Sequence, residues 1–239
     1  ASRPRSAALA AYTRLVVAVQ VGEPERAGDV RNVVATLGAV AGEDTAVTLG
    51  MAALQLGEVE EAVARLGAAR QGRLEPRRLA ARALLSVAID DGFAGELLDR
   101  LGDDATATYL DRGQGEVAGA MEAARHERRA DALAHVAASR SHVADTGDRV
   151  AIAVVELAAG RVAQRIGDPE AADVAARARW LLDLLGISAR GWMQVFDLAA
   201  GPDVVLDAPD GDGGPGGRSG GNGDEELARP TSGIGRRDG

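Results

Sequence analysis

Cysteine is absent from the 239 residues, which removes a disulfide framework, a thiolate metal site and a cysteine nucleophile. Lysine is absent too: all 27 basic side chains are arginine. With lysine go the phosphate-loop lysine, Schiff-base chemistry and a lysine general base. Aromatic residues make up only 3% of the chain, so packing must rely on Ala, Leu and Val. That suits closely spaced helices and argues against a β-sandwich, whose strands need aromatic and β-branched alternation. No apolar run reaches the length of a membrane span, and Val150–Val155 is cut off by Glu156. The N-terminal Ala1-Ser-Arg-Pro-Arg lacks the hydrophobic centre of a secretory signal, so a cytoplasmic location is expected. The net charge of −9 sets the chain as a whole against phosphate, so nucleic acid is not an expected partner.

What the chain does have is periodicity. Gly22, Gly57, Gly92 and Glu127 follow one another at a constant spacing of 35 residues. Around each, a small or apolar residue recurs seven and four places before and another five places after. The clearest copy is Leu49, Gly50, Ala53, Gly57, Ala62, Leu66 and Ala69. Others read Leu15, Ala18, Gly22, Ala27; Leu85, Ala88, Gly92, Leu97; and Ala120, Ala123, Glu127, Ala132. A fifth, Gly160, Ala163, Gly167, Ala172 and Ala176, comes 40 residues after the fourth, an insertion of about one helical turn. A fixed period of this size marks a helical repeat array, in which no single unit can bury its own apolar face.

The skeleton L-G-x2-A-x3-G-x4-A-x3-L-x2-A resembles the tetratricopeptide (TPR) pattern over roughly residues 8–185. Ala53 stands in the usual Tyr slot, Leu66 in the usual Phe slot, and Ala46 where an aromatic normally opens the unit. The resemblance implies an all-α, right-handed α-solenoid of about five helix-turn-helix repeats. In each unit a glycine stops the first helix, an acidic residue (Glu23, Glu58, Asp168) suits the positive end of the next, and Pro24 and Pro169 fit its first turn. Glu127 departs from the pattern, so its helix boundary stays open. Degenerate Ala/Arg-rich arrays also resemble the C-terminal repeat regions of larger bacterial signalling and regulatory proteins.

The repeat domain is expected to span 1–200. Gly113 and Gly115 bracket the expected break between units three and four, and Asp148 is the expected N-cap after Thr146-Gly147. Residues 188–200 form an amphipathic helix carrying Trp192, Val195, Phe196 and Leu198, read as a cap on the last unit's exposed face, with partner docking as the sharper alternative. From 201 to 239 the composition turns glycine- and aspartate-rich, the signature of a disordered tail.

Chemistry is scarce. Glu127, Asp131 and His135 are successive i,i+4 positions that a helix would align, which opens the alternative of a small helical-bundle enzyme or metal protein; a solvated polar stripe is the plainer reading. His126-Glu127 begins like H-E-x-x-H, but Ala130 occupies the second ligand position. Gly211, Gly213 and Gly216 match G-x-G-x-x-G, and Gly217, Ser219 and Gly221 match G-x-S-x-G, without the strand and helix either motif needs. Asp207, Asp210 and Asp212 lack calcium-loop spacing. No enzyme activity, cofactor or metal is expected. Arg70, Arg73, Arg77, Arg78 and Arg82 form a basic cluster, read as a surface patch.

In the TPR arrangement the first helix of each unit lines a concave groove. The resemblance places Tyr12, Val16 and Gln20 there from unit one, and Val47, Met51 and Gln55 from unit two. Units three to five contribute Arg82, Ser86 and Asp90; Val117, Met121 and Arg125; Leu157, Arg161 and Arg165. Such a groove is apolar at one end and arginine-rich at the other, fitting a protein or peptide partner with an apolar anchor and an acidic segment. The expected function is a regulatory protein–protein interaction scaffold. The carboxylate-clamp variant of the family is not implied, because its paired asparagines and lysines are missing.

Overall fold

The computed structural model describes residues 3–23, 26, 43–67 and 74–201. These residues are helical, with no strand among them, as the composition requires. The helices are α1 (Arg3–Gln20), α2 (Glu43–Gln55), α3 (Val59–Leu66), α4 (Pro76–Ile89), α5 (Ala94–Asp103), α6 (Tyr109–Arg125), α7 (Arg129–Val143), α8 (Arg149–Arg165), α9 (Ala171–Leu184) and α10 (Arg190–Ala200). They belong to one compact unit, Ala1–Val204. The second half of the first sequence copy, Pro24, Arg70, Arg73 and the whole of 202–239 lie outside the described residues, and with them the motif matches and acidic residues of the tail.

The repeated stop position has one physical meaning throughout. Gly22, Gly57, Gly92, Glu127 and Gly167 have φ of +70°, +77°, +76°, +58° and +66°. A left-handed residue there lets the next amide reach back to the helix end: Glu23 N to Ala18 O at 2.9 Å, Glu58 N to Ala53 O at 2.9 Å, Arg128 N to Ala123 O at 2.8 Å and Asp168 N to Ala163 O at 2.8 Å. The small residue four places before the stop is therefore the carbonyl acceptor of the cap. Glu127 keeps the same geometry as the glycines, which resolves its boundary: α6 ends one residue after Ala124, and Glu127 bears the strain. The third copy differs, because Asp90 also turns left-handed and α4 ends early.

Helix starts were legible in part. Asp148 caps α8 by accepting from Val150 N and Ala151 N. Pro169 lies in the turn ahead of α9 rather than in its first turn, and Asp168 accepts from Glu170 N at 2.9 Å there. Gly113 and Gly115 do not mark a break; both are inside α6, and the turn sits earlier. Thr108 and Asp111 form a reciprocal capping box that starts α6 at Tyr109, which overrides the helix-weakening glycines. Gly115 instead leaves room for Leu101 of α5, since a Cβ there would sit 2.4 Å from the Leu101 Cδ2.

Consecutive helices pack as pairs, α2 on α3, α4 on α5, α6 on α7 and α8 on α9, while the first helices α4, α6 and α8 also contact one another in turn. Absent side chains set how close the pairs come: a Cβ on Gly160 would lie 3.0 Å from the Ala175 backbone. The 40-residue step is absorbed in one helix, since α6 and α8 both have 17 residues while α7 has 15 against 10 in α5. Fully buried Leu15, Leu54, Leu85, Met121, Leu157 and Phe196 run through a shared core.

Candidate binding site

Helix α10 is where this chain departs most from its sequence reading. Trp192, Val195, Phe196, Ala199 and Ala200 fall at helical spacing and are all buried. The helix is not confined to the last unit: it packs across α2, α4, α6 and α8, on the faces the sequence reading assigned to a groove. The reason is the stripe itself. It has two aromatic rings to bury, and the first helices offer a long apolar surface made of small residues. Full burial of each large apolar side chain stabilises by about 1.5–3 kcal/mol.

Polar contacts fix its register. At its start, Gly191 N donates to Gly22 O at 3.1 Å, and Trp192 Nε1 donates to Gln20 O at 3.2 Å. These carbonyls belong to the end of α1, where intrahelical donors have run out. A Cβ on Gly191 would be 2.7 Å from Gly22 O, so only glycine allows this approach. Gln55 Nε2 adds a bond to Val19 O at 2.6 Å. Further along, Asp197 Oδ1 lies 3.0 Å from Arg161 Nε, an ion pair without good hydrogen-bond alignment, on a guanidinium whose side chain is only 7% exposed.

Beside α10, the first helices leave a bay of about 660 Å³. Val19, Val47, Met51, Leu84, Val117 and Val155 line it, and Trp192 and Phe196, stacked with centroids 5.9 Å apart, wall one side. Gln114 projects from α6 into it, its Nε2 donating to the Met51 sulfur at 3.8 Å. The rim carries the starts of α4, α6 and α8, with Glu75, Arg77, Thr108 and Asp148. Tyr109 at this rim donates to Asp148 Oδ2 at 3.1 Å; that hydrogen bond, then desolvation and the carboxylate charge, holds the phenol above its ordinary pKa. On the outer side Arg140 makes two 2.7 Å bonds to Glu156, which raise its pKa further.

The residues projected onto the groove are therefore divided. Gln20, Val47, Met51 and Val117 line the bay. Gln55, Ser86, Met121 and Leu157 are buried core or α10 contacts. Arg82 turns away, toward Asp91 at 3.5 Å and the Gly67 corner, and Arg78 is buried as well, so these two members of the basic cluster do not belong to a surface patch. Arg125 bonds the Val87 carbonyl and stands 3.8 Å from Asp90, which is exposed. Tyr12 and Val16 are half-buried on α1 outside the bay lining, and Arg165 is half-buried at the end of α8. In α6 and α8 the cause is position along the helix: Met121 and Leu157 lie a turn beyond the bay-lining Val117 and Val155 or deeper in the core, whereas in α1 it is the last turn that reaches the bay.

The alternative site does not assemble. Glu127 occupies the left-handed stop and α7 begins only at Arg129, so the three residues share no helical face. Asp131 pairs with Arg128 at 3.2 Å, while the His135 ring meets Glu116 at 2.7 Å over the bare backbone of Gly119. No cluster of His, Asp or Glu suited to a metal occurs among the described residues. Nor is any helix there long and apolar enough to cross a membrane.

Sequence reasoning missed Gln114, Trp192, Phe196 and Asp197 as parts of the site that α10 and the first helices form. The i, i+4 aromatic pair was visible; its partner surface was not. In comparisons with known proteins, no family model, no curated protein and no solved structure matches this chain.

Proposed function

We propose that the chain is a degenerate TPR-like helical-repeat scaffold, a right-handed α-solenoid of about five units that works in the cytoplasm by holding a partner protein or peptide rather than transforming a substrate. The regular recurrence of left-handed stops and stacked first helices supports the solenoid reading. The observation that carries the binding reading is α10. An amphipathic helix with apolar anchors and an acidic side chain lies across the first helices, its Asp197 on Arg161, in the manner of a helix held in a groove. That is the partner chemistry the arginine and apolar composition of these helices suits, here met in part by the chain itself. The open bay then receives an apolar side chain of a partner that docks at its rim.

A photo-crosslinking amino acid in place of Gln20, at the bay, against one in place of the outward-facing Val63 on α3, tests this in cells. A discrete polypeptide adduct at position 20 and none at 63 is expected. Absence of an adduct at 20 rejects the scaffold reading.

A further inference from the structure

We infer that the bay between α10 and the first helices is a binding site for a neutral, mostly apolar small molecule with one hydrogen-bonding group. This goes beyond the scaffold reading and does not depend on it.

Size argues first. The 660 Å³ bay falls in the range of roughly 300–1,000 Å³ typical of pockets for small organic ligands. Trp192 and Phe196 wall it, so α10 stands where a peptide running along the first helices would have to pass.

Chemistry argues next. The walls are aliphatic and aromatic, with the adaptable thioether of Met51 among them, and an apolar void of this kind gains by taking up an apolar guest. Gln20 is exposed at the edge, whereas Gln114 is a half-buried amide among these walls whose donor meets a sulfur, a weak acceptor, at 3.8 Å. A guest with one carbonyl or hydroxyl oxygen offers that donor a better acceptor. At the rim the three carboxylates Glu75, Asp111 and Asp148 stand with Arg77. Asp111 and Asp148 are spent on backbone N–H groups and hydroxyls of the helix starts, and the positive ends of α4, α6 and α8 offset part of the remaining charge. An anion meets acids in excess and a cation meets two carboxylates already engaged, so the site favours a neutral ligand.

The test uses the full chain carrying Trp180→Phe, so that Trp192 is the only indole, and the probe 6-propionyl-2-(dimethylamino)naphthalene, which is neutral, apolar and bears one carbonyl acceptor. Saturable one-to-one binding with quenching of Trp192 emission is expected. Gln114→Phe, at a half-buried position that leaves the core intact, should weaken binding at least tenfold by filling the bay. Val117→Phe should do the same from deeper in the wall, and Gln114→Leu should cost several-fold by removing the amide. Circular dichroism on each variant reports that it is folded. No saturable binding, or equal affinity in folded Gln114→Phe and Val117→Phe, overturns the assignment. Loss of the position-20 crosslink without loss of probe binding would reject the scaffold and leave the pocket standing.

Discussion

The indole of Trp192 donates to the carbonyl of Gln20 at 3.2 Å, a hydrogen bond between residues 172 apart in sequence. It joins the last described helix to the end of the first, so α10 is a strut across the first helices. Removing it should be felt everywhere.

Trp192→Ala is accordingly expected to cost about 3–5 kcal/mol, the range for truncating a buried tryptophan. Trp192→Phe, which keeps the ring packing and loses the donor, should cost about 1 kcal/mol. Urea denaturation measures both. A loss below about 1 kcal/mol for the alanine variant would mean α10 is peripheral.

Arg161 and Asp197 form an asymmetric pair, one nearly enclosed and the other 50% exposed. Exposure of the carboxylate discounts the pair to about 1 kcal/mol, so Asp197→Asn should destabilise by about that much, less in high salt. Arg161→Met with Asp197→Asn should be more stable than the two separate losses predict, because no buried charge is then left uncompensated. Additive losses in a double-mutant cycle would contradict the contact.

Glu127 holds a left-handed backbone at φ +58°. Exchange for glycine removes the steric penalty at some cost in chain entropy, so Glu127→Gly is expected to stabilise by about 0.5–1 kcal/mol. Glu127→Val should destabilise by at least as much, since a β-branched residue resists that conformation. Thermal melts of the two variants should move in opposite directions.

Tyr109 has a raised pKa because its hydroxyl donates to Asp148. A folded-state pKa above the unfolded one means a stabilising contribution that is complete below about pH 10 and lost as the pH climbs through the raised value. Wild type and Tyr109→Phe should therefore differ in stability at neutral pH and converge in strong base. Phenolate absorbance should show Tyr109 titrating closer to its ordinary value in Asp148→Asn, which keeps a competent N-cap. An unchanged titration would refute the hydrogen bond.

Much of the fold was legible residue by residue. The 35-residue period located the helix ends, because a left-handed stop followed by an amide reaching back to a small residue is a local event decided within six or seven positions. Asp148 was readable as a cap for the same reason. Gly113 and Gly115 misled because glycine signals a break only where no stronger start lies nearby, and Thr108 with Asp111 supplies one. The groove was half legible: helical projection found Val47, Met51 and Val117 but carried the open face one turn too far, to Met121 and Leu157.

What the amino-acid order determined by itself is the set of helices, their stops, and the amphipathic stripe on α10, all consequences of short-range backbone sterics and periodicity. What only the tertiary structure decided is where that stripe goes. Burial of Trp192 and Phe196 is non-directional, and any sufficiently long apolar surface would satisfy it. The choice of the first helices over the last unit rests on contacts between residues more than a hundred positions apart, Gly191 against Gly22 and Trp192 against Gln20 among them, and with it came the shape of the bay.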